Sequence, residues 1–263
     1  MFTDARLTNF IANTLAVLAV CAMLVGVVVW VAQRPYFAIA RIQIEPIQGA
    51  ALNYVSAASV RATIAGHLSG NFFSVNLNNA RALIETVPWV RHAQIRRVWP
   101  NTLKVQLEEH QPLALWNEGQ MINTWGEAFT ANLGELADDA NLAQLNGPVS
   151  SERLVVQRYA EVARWFAPLN LSVEEVSLSP RYAWEVKLSD GMHLNLGRDP
   201  AADLADPPGR AGALPFAARI ERFVLAWPTL SQRLDNRAIE SADLRYPNGF
   251  AITLAPVSNT STK

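Results

Sequence analysis

Ala93-Gln94-Ile95-Arg96-Arg97-Val98-Trp99-Pro100-Asn101-Thr102-Leu103-Lys104-Val105-Gln106-Leu107-Glu108 reads as two strands joined by a turn. Ile95, Arg97 and Trp99 alternate with Gln94, Arg96 and Val98. After the turn, Leu103, Val105 and Leu107 alternate with Lys104, Gln106 and Glu108, the period-two pattern of strands with one covered face. Pro100-Asn101 supplies the turn, since proline presets φ and asparagine tolerates tight backbone geometry. Upstream, Ala80, Leu83, Ile84 and Val87 recur at helical spacing until Pro88 stops them, and Val60, Ile64 and Leu68 recur at spacing four. Before these, Ala40, Ile42 and Ile44 alternate with Arg41, Gln43 and Glu45. From Phe37 onward the predicted order is strand, helix, helix, strand, strand.

Further upstream, Ile11 to Ala32 is an unbroken apolar run without a charged residue. As a helix its twenty-two positions span about 33 Å, enough for a hydrocarbon core of about 30 Å. A cleaved signal peptide would have a shorter apolar stretch and small residues at its cleavage site, whereas a cut after Ala32 would place Trp30 there. Leu18-Ala19-Val20-Cys21 resembles a lipoprotein signal only faintly, because Val20 stands where a small residue is expected and the apolar run continues past Cys21. The reading is an uncleaved anchor over 11–32, surrounded by membrane lipid, with a short tail over 1–10. Arg6 and the terminal amine against Arg34 and Arg41 leave the orientation undecided by charge. Cys21 is the only cysteine and lies in the run, so the large domain is thiol-free, which suits an oxidising periplasm. Trp30 and Tyr36 suit the bilayer interface.

Beyond Glu109 a second domain is expected. Leu113 to Trp116, Met121 to Asn123 and Glu127 to Thr130 are short candidate strands. Val155, Tyr159, Val162, Phe166 and Leu169 mark one face of a helix. Val173 to Ser179, Ala183 to Ser189 and Met192 to Leu196 follow as strands, the last two joined by the hairpin signal Asp190-Gly191. Asp199 to Ala213, rich in Ala, Asp, Pro and Gly, reads as a surface loop. Ile220, Phe223, Trp227, Leu230 and Leu234 define another amphipathic helix, with a kink or early end expected at Pro228. Ile239 to Tyr246 and Phe250 to Leu254 form a closing hairpin across Pro247-Asn248-Gly249, and 257–263 is a polar, flexible tail.

The series Val87-Pro88-Trp89-Val90, then Ala93 to Val105, Glu109-His110-Gln111-Pro112-Leu113-Ala114-Leu115-Trp116, Gly126-Glu127-Ala128-Phe129, Leu145-Asn146-Gly147-Pro148, Leu194 to Arg198 and Asp243-Leu244-Arg245-Tyr246-Pro247-Asn248-Gly249-Phe250-Ala251 resembles the FtsQ/DivIB family of cell-division proteins. The resemblance runs from the anchor to about Pro256. It implies an α+β chain: a single N-terminal transmembrane helix, a POTRA domain over 37–110 (strand-helix-helix-strand-strand), and a second α+β domain over 111–256 on a mostly antiparallel sheet. The ten-residue tail is short for the family, and the 199–213 stretch is longer than the corresponding connection.

Composition and motifs narrow the function. The formal net charge of −1 gives no electrostatic footprint for nucleic acid. His67, His92, His110 and His193 are scattered without metal-ligand spacing, and no HExxH, GxSxG or Gly-rich phosphate loop occurs. No catalytic residue, metal, cofactor or small-molecule substrate is expected. Glu108 and Glu109 face opposite sides of a strand, as solvated charge or fold contacts. Of Arg96 and Arg97, one is expected to cover Trp99 or its neighbours and the other to be solvated.

The resemblance implies a non-enzymatic divisome scaffold linking early and late division proteins. It would sit in the cell inner membrane at the septum, N-terminus cytoplasmic and C-terminal domain periplasmic. Its partners would be the bitopic coiled-coil proteins FtsB and FtsL at a C-terminal edge strand, and other divisome proteins at the POTRA domain. By position in the motif, the contacts would be Tyr246, Asn248, Gly249, Phe250 and Ile252, with Arg181, at the start of Arg181-Tyr182-Ala183-Trp184, as a charge partner. Against this stands the packing of Tyr246 and Phe250 into the core. An alternative from another class is a POTRA-containing transport or assembly component that binds polypeptide chains, which predicts a barrel or further POTRA repeats. A membrane-tethered hydrolase would need a clustered acid, base and nucleophile.

Overall fold

The structure is a computed structural model. It describes residues 5–47, 51–68, 70–136, 141–199, 216–234 and 237–256, with side chains from residue 9 onward. The expected loop beyond Asp199, the tail over 257–263 and residues 1–4 of the N-terminal tail lie outside the described residues. The chain is α+β and divides into two compact units, Met1–Glu109 and His110–Lys263.

The first unit opens with α1 (Ala5–Ala32). Its Asn9–Ala32 portion, 24 residues of mean hydropathy 2.8 with none of the helix buried, is long and apolar enough to cross a membrane. Then come β1 (Arg41–Pro46), α2 (Ala57–Ile64), α3 (Leu77–Ile84), β2 (Val90–Val98) and β3 (Thr102–Glu109), the order expected from periodicity. The sheet order is β1-β3-β2, with β1 parallel and β2 antiparallel to the central β3. Leu103, Val105 and Leu107 of β3 are each 1% exposed, and Val60, Ile64, Ala80 and Ile84 bring the buried faces of the two helices to the same core. The Ser56 and Asn76 side chains accept backbone N–H groups at the starts of α2 and α3.

Local physics explains where this unit departs from expectation. α2 stops at Ile64 rather than reaching Leu68, because the chain turns through Gly66 at φ +84°. Ile42 and Ile44 are only half-buried, on an edge strand. Arg97 does not cover Trp99. Its Nε and Nη2 donate to the carbonyls of Phe72 and Val75 at 2.6 and 2.7 Å, and Trp99 is 70% exposed. Glu108 pairs with Arg91 at 2.7 Å, whereas Glu109 accepts the N–H groups of Asn53, Tyr54 and Val55. Tyr54 in turn stacks on buried Trp89, which holds φ +70°.

The second unit contains β4 (Pro112–Trp116), β5 (Gln120–Asn123), β6 (Ala128–Phe129), β7 (Ala143–Asn146), α4 (Glu152–Phe166), β8 (Val173–Leu178), β9 (Ala183–Leu188), β10 (His193–Arg198), α5 (Phe216–Arg233), β11 (Ile239–Asp243) and β12 (Ala251–Leu254). They build a nine-stranded sheet ordered β12-β11-β10-β9-β8-β7-β4-β5-β6. Most pairings are antiparallel; β10–β11, β4–β7 and β7–β8 are parallel. The helices cover one face, where Val155, Val162 and Phe166 of α4 and Phe216, Ile220 and Phe223 of α5 meet Val176, Trp184, Val186, Leu194 and Ala242 of the strands. Their burial supplies most of the unit's stabilisation, about 1.5–3 kcal/mol for each large side chain.

One feature of this unit was not expected: β7 is a strand, and it joins the two halves of the sheet. The helix expected across Ile220 to Leu234 forms as α5 and does not end early at Pro228, because Trp227, Leu230 and Leu234 pack against the core and offset the lost backbone bond.

Candidate functional site: the outer strand of the large sheet

β12 pairs with β11 from Ile239↔Leu254 to Asp243↔Ala251. On its other side no strand lies among the described residues. Its side chains alternate: Phe250, Ile252 and Leu254 lean half-buried on the core, and Ala251 and Thr253 are exposed. The Phe250 ring meets Phe223 edge-on at 5.1 Å between centroids, which pins the start of the strand to α5.

The turn before β12 is held from below. Arg222 of α5 donates from Nη1 to the Pro247 carbonyl at 2.8 Å. Tyr246, 53% exposed, and Asn248 stand out to solvent beside half-buried Gly249. Residues 246–251 line a shallow depression of about 410 Å³. Arg245 forks onto Asp243, with Nε 2.9 Å from Oδ1 and Nη2 2.6 Å from Oδ2. That hydrogen bonding outweighs burial and holds the Asp243 carboxyl below its ordinary 3.8, and the same bond raises the Arg245 guanidinium. The Arg245 stem lies across Gly197, where φ is +65° and an added Cβ would come within 2.8 Å of Arg245 Cγ. Glycine is therefore required there on two counts.

Arg181 does not begin a strand. It is exposed in the turn between β8 and β9, and its carbonyl accepts Arg198 Nε at 2.7 Å. The registers Ala183↔Arg198, Asn195↔Asp243 and Asp243↔Ala251 bring this turn and the start of β12 to the same end of the sheet. Three strand spacings, about 14 Å, separate them. The structure thus gathers Tyr246, Asn248, Gly249, Phe250 and Ile252 into one contiguous edge, and places Arg181 at the same end but apart from it.

Sequence reasoning missed the arginines of α5. Arg219 donates to the carbonyls of Leu196 and Arg198 at 2.9 and 2.8 Å, and its burial lowers its pKa against the attraction of Asp199. Arg219 and Arg222 are one helical turn apart, but their targets are backbone carbonyls, which leave no mark in a sequence. The open face of the sheet carries a polar cleft of about 590 Å³ lined by Glu185, Lys187, His193, Asn195, Asp243 and Thr253 among others. No group of three or more metal-ligating side chains occurs among the described residues.

A strand-helix-helix-strand-strand unit behind one N-terminal helix long and apolar enough to cross a membrane, followed by a large sheet, defines a POTRA-bearing protein. Comparison with known proteins narrows this. The profile for the POTRA domain, FtsQ-type, matches residues 43–110, and that for cell division protein FtsQ/DivIB, C-terminal, matches residues 114–245. The chain is 65% identical to cell division protein FtsQ of Bordetella pertussis over 257 residues, covering 98% of this chain and 94% of the relative. Against its counterpart in Burkholderia pseudomallei it is 47% identical over 255 residues, 97% and 95% of the two chains. The Vibrio cholerae protein is 30% identical over 207 residues, 78% and 72% of the two chains. The chain belongs to the FtsQ/DivIB family of cell division proteins.

Proposed function

We propose that the chain is a non-enzymatic scaffold of the bacterial divisome that links early and late division proteins by capturing FtsB and FtsL at β12. Strand addition gives the mechanism: main-chain hydrogen bonds along the unpaired edge supply affinity, and alternate side-chain contacts supply selectivity. Tyr246, Asn248, Gly249, Phe250 and Ile252 form the contact strip, and Arg181 is a charge partner for an acidic side chain reaching along the same sheet end. Ile11–Ala32 anchors the protein in the inner membrane at the septum, N-terminus cytoplasmic, with the POTRA domain (37–110) and the C-terminal domain (111–256) periplasmic. The POTRA domain engages other divisome proteins.

The observation that carries this reading is the open β12 edge beside exposed Tyr246. A single added strand with its flanks would bury about 800 Å² per side, a standard interface. Because the Phe250 ring turns inward onto Phe223, Tyr246 is the better position for a photo-crosslinker. In growing cells, mass spectrometry should identify FtsB or FtsL in the adduct. Capture of diverse unfolded chains would favour the transport class instead.

A further inference from the structure

The POTRA-type unit carries exposed aromatic residues that neither its core nor the β12 edge uses. They collect where α1 ends. Asn71 donates from Nδ2 to the Ala32 carbonyl at 2.7 Å, at the helix's last residue, and Phe72 N–H donates to the Phe37 carbonyl at 2.8 Å. Arg97 clamps the other side of the same loop through the Phe72 and Val75 carbonyls. The tip of the β2–β3 hairpin is tied in as well, since Ala40 N–H donates to the Asn101 carbonyl at 3.0 Å. The helix exit, the 70–76 loop and the hairpin tip are therefore one hydrogen-bonded end of the unit.

The surface of that end is aromatic and basic. Tyr36, Phe37 and Phe73 form a continuous ring cluster, with centroids 5.2 and 5.1 Å apart. Tyr36 is 61%, Phe73 51% and Trp99 70% exposed, and the Arg34 guanidinium sits 3.5 Å over the Trp30 ring. Residues 30–44, 70–76 and 94–103 contain Arg34, Arg41, Arg96 and Arg97 and no acidic residue, and the next cation, Lys104, is paired with Glu45. Arg34, Arg41 and Arg96 are exposed. Amphipathic rings with cations, at the point where an apolar helix leaves the hydrocarbon, are the composition that settles in a headgroup layer with anionic lipid.

We propose that this end of the POTRA-type unit lies on the bilayer, with Phe73 and Trp99 seated among the lipid headgroups of the leaflet that α1 exits. The bilayer is the occupant because the patch is hydrogen-bonded to the end of the helix that spans it, which makes the inference rest on the anchor reading. Seating the rings fixes the attitude of the unit toward the membrane instead of leaving it to swing on the short 33–40 connection.

The test uses the full chain in vesicles of phosphatidylethanolamine and phosphatidylglycerol, with a benzoylphenylalanine photo-crosslinker at one position per variant. Phe73 and Trp99 are the test positions and Val20, inside α1, reports on the anchor. Thr86 is the control, exposed beside the Val90 end of β2 and about 26 Å along that strand from its Trp99 end. Phe73 and Trp99 should give roughly tenfold more phospholipid adduct than Thr86. Adducts at Val20 with Phe73 and Trp99 no better than Thr86 would overturn the proposal and leave the anchor standing. Absence of adducts at Val20 as well would overturn the anchor reading itself.

Discussion

The nine-stranded sheet has two edges, and they are built in opposite ways. At one, β6 is only Ala128–Phe129, its Phe129 is buried, and the His110 ring stacks on it at 4.1 Å. Beside it Asn123, 0% exposed, accepts the N–H groups of Trp125 and Glu127 at 3.0 and 2.8 Å and donates to Glu127 Oε2 at 2.8 Å. At the other, β12 runs four residues with small Ala251 and Thr253 on its exposed face. Unpaired strand edges invite pairing with other chains, and a sheet that must stay single closes them by shortening and covering. One edge is sealed by these means and the other is not. The difference teaches that, among the described residues, openness in this sheet is local to β12, the edge proposed above to take a partner strand.

Changes at the two edges should therefore have different consequences. Phe223→Ala removes the floor beneath Phe250 and opens a cavity in the core, at an expected cost of about 3–5 kcal/mol in urea unfolding. Asn123→Ala leaves two N–H groups at the sealed edge without their acceptor, and about 2–3 kcal/mol should be lost in the same measurement. Tyr246→Ala should change stability by less than about 0.5 kcal/mol. Its effect belongs to association: affinity for FtsB should fall by about 2 kcal/mol, roughly thirtyfold, by titration calorimetry. Equal destabilisation by Asn123→Ala and Tyr246→Ala would erase the contrast.

Smaller effects sharpen it. Arg222→Ala releases the Pro247 carbonyl and should cost about 1 kcal/mol, with a matching drop in FtsB affinity as the turn before β12 loosens. Asp243 titrates lower in the fold than when unfolded, so its contribution is present above the ordinary 3.8 and is lost as pH falls through the folded value. The urea midpoints of wild type and Asp243→Asn should differ at neutral pH and converge as the pH falls through the lowered folded value of Asp243. The difference should stay under about 1 kcal/mol, because the Arg245 partner is more than half exposed.

Sequence periodicity reached far into this fold. The alternation around Pro100-Asn101 located the first hairpin, and Asp190-Gly191 located the β9–β10 turn, where Gly191 has φ +84°. Strand β7 escaped because Ala143-Gln144-Leu145-Asn146 is too short to show a period, and its place in the sheet comes from two parallel neighbours distant in sequence. The amphipathic spacing of Ile220, Phe223, Trp227 and Leu230 located α5, and the early end that Pro228 allowed does not occur because Trp227 and Leu230 find the core. At the candidate site, the Tyr246–Phe250 segment stood out through family resemblance. The inward turn of Phe250, the Arg222 strut and the position of Arg181 in a turn follow from tertiary contacts that no local pattern encodes.

Amide hydrogen exchange of the full chain, with and without the periplasmic segment of FtsB, tests the central claim most directly. Strand addition predicts that alternate amides of Ala251–Leu254 slow by roughly tenfold or more on binding while β6 is unchanged. Binding that protects the β6 edge or the polar open face and leaves β12 exchanging at its free rate would contradict the account.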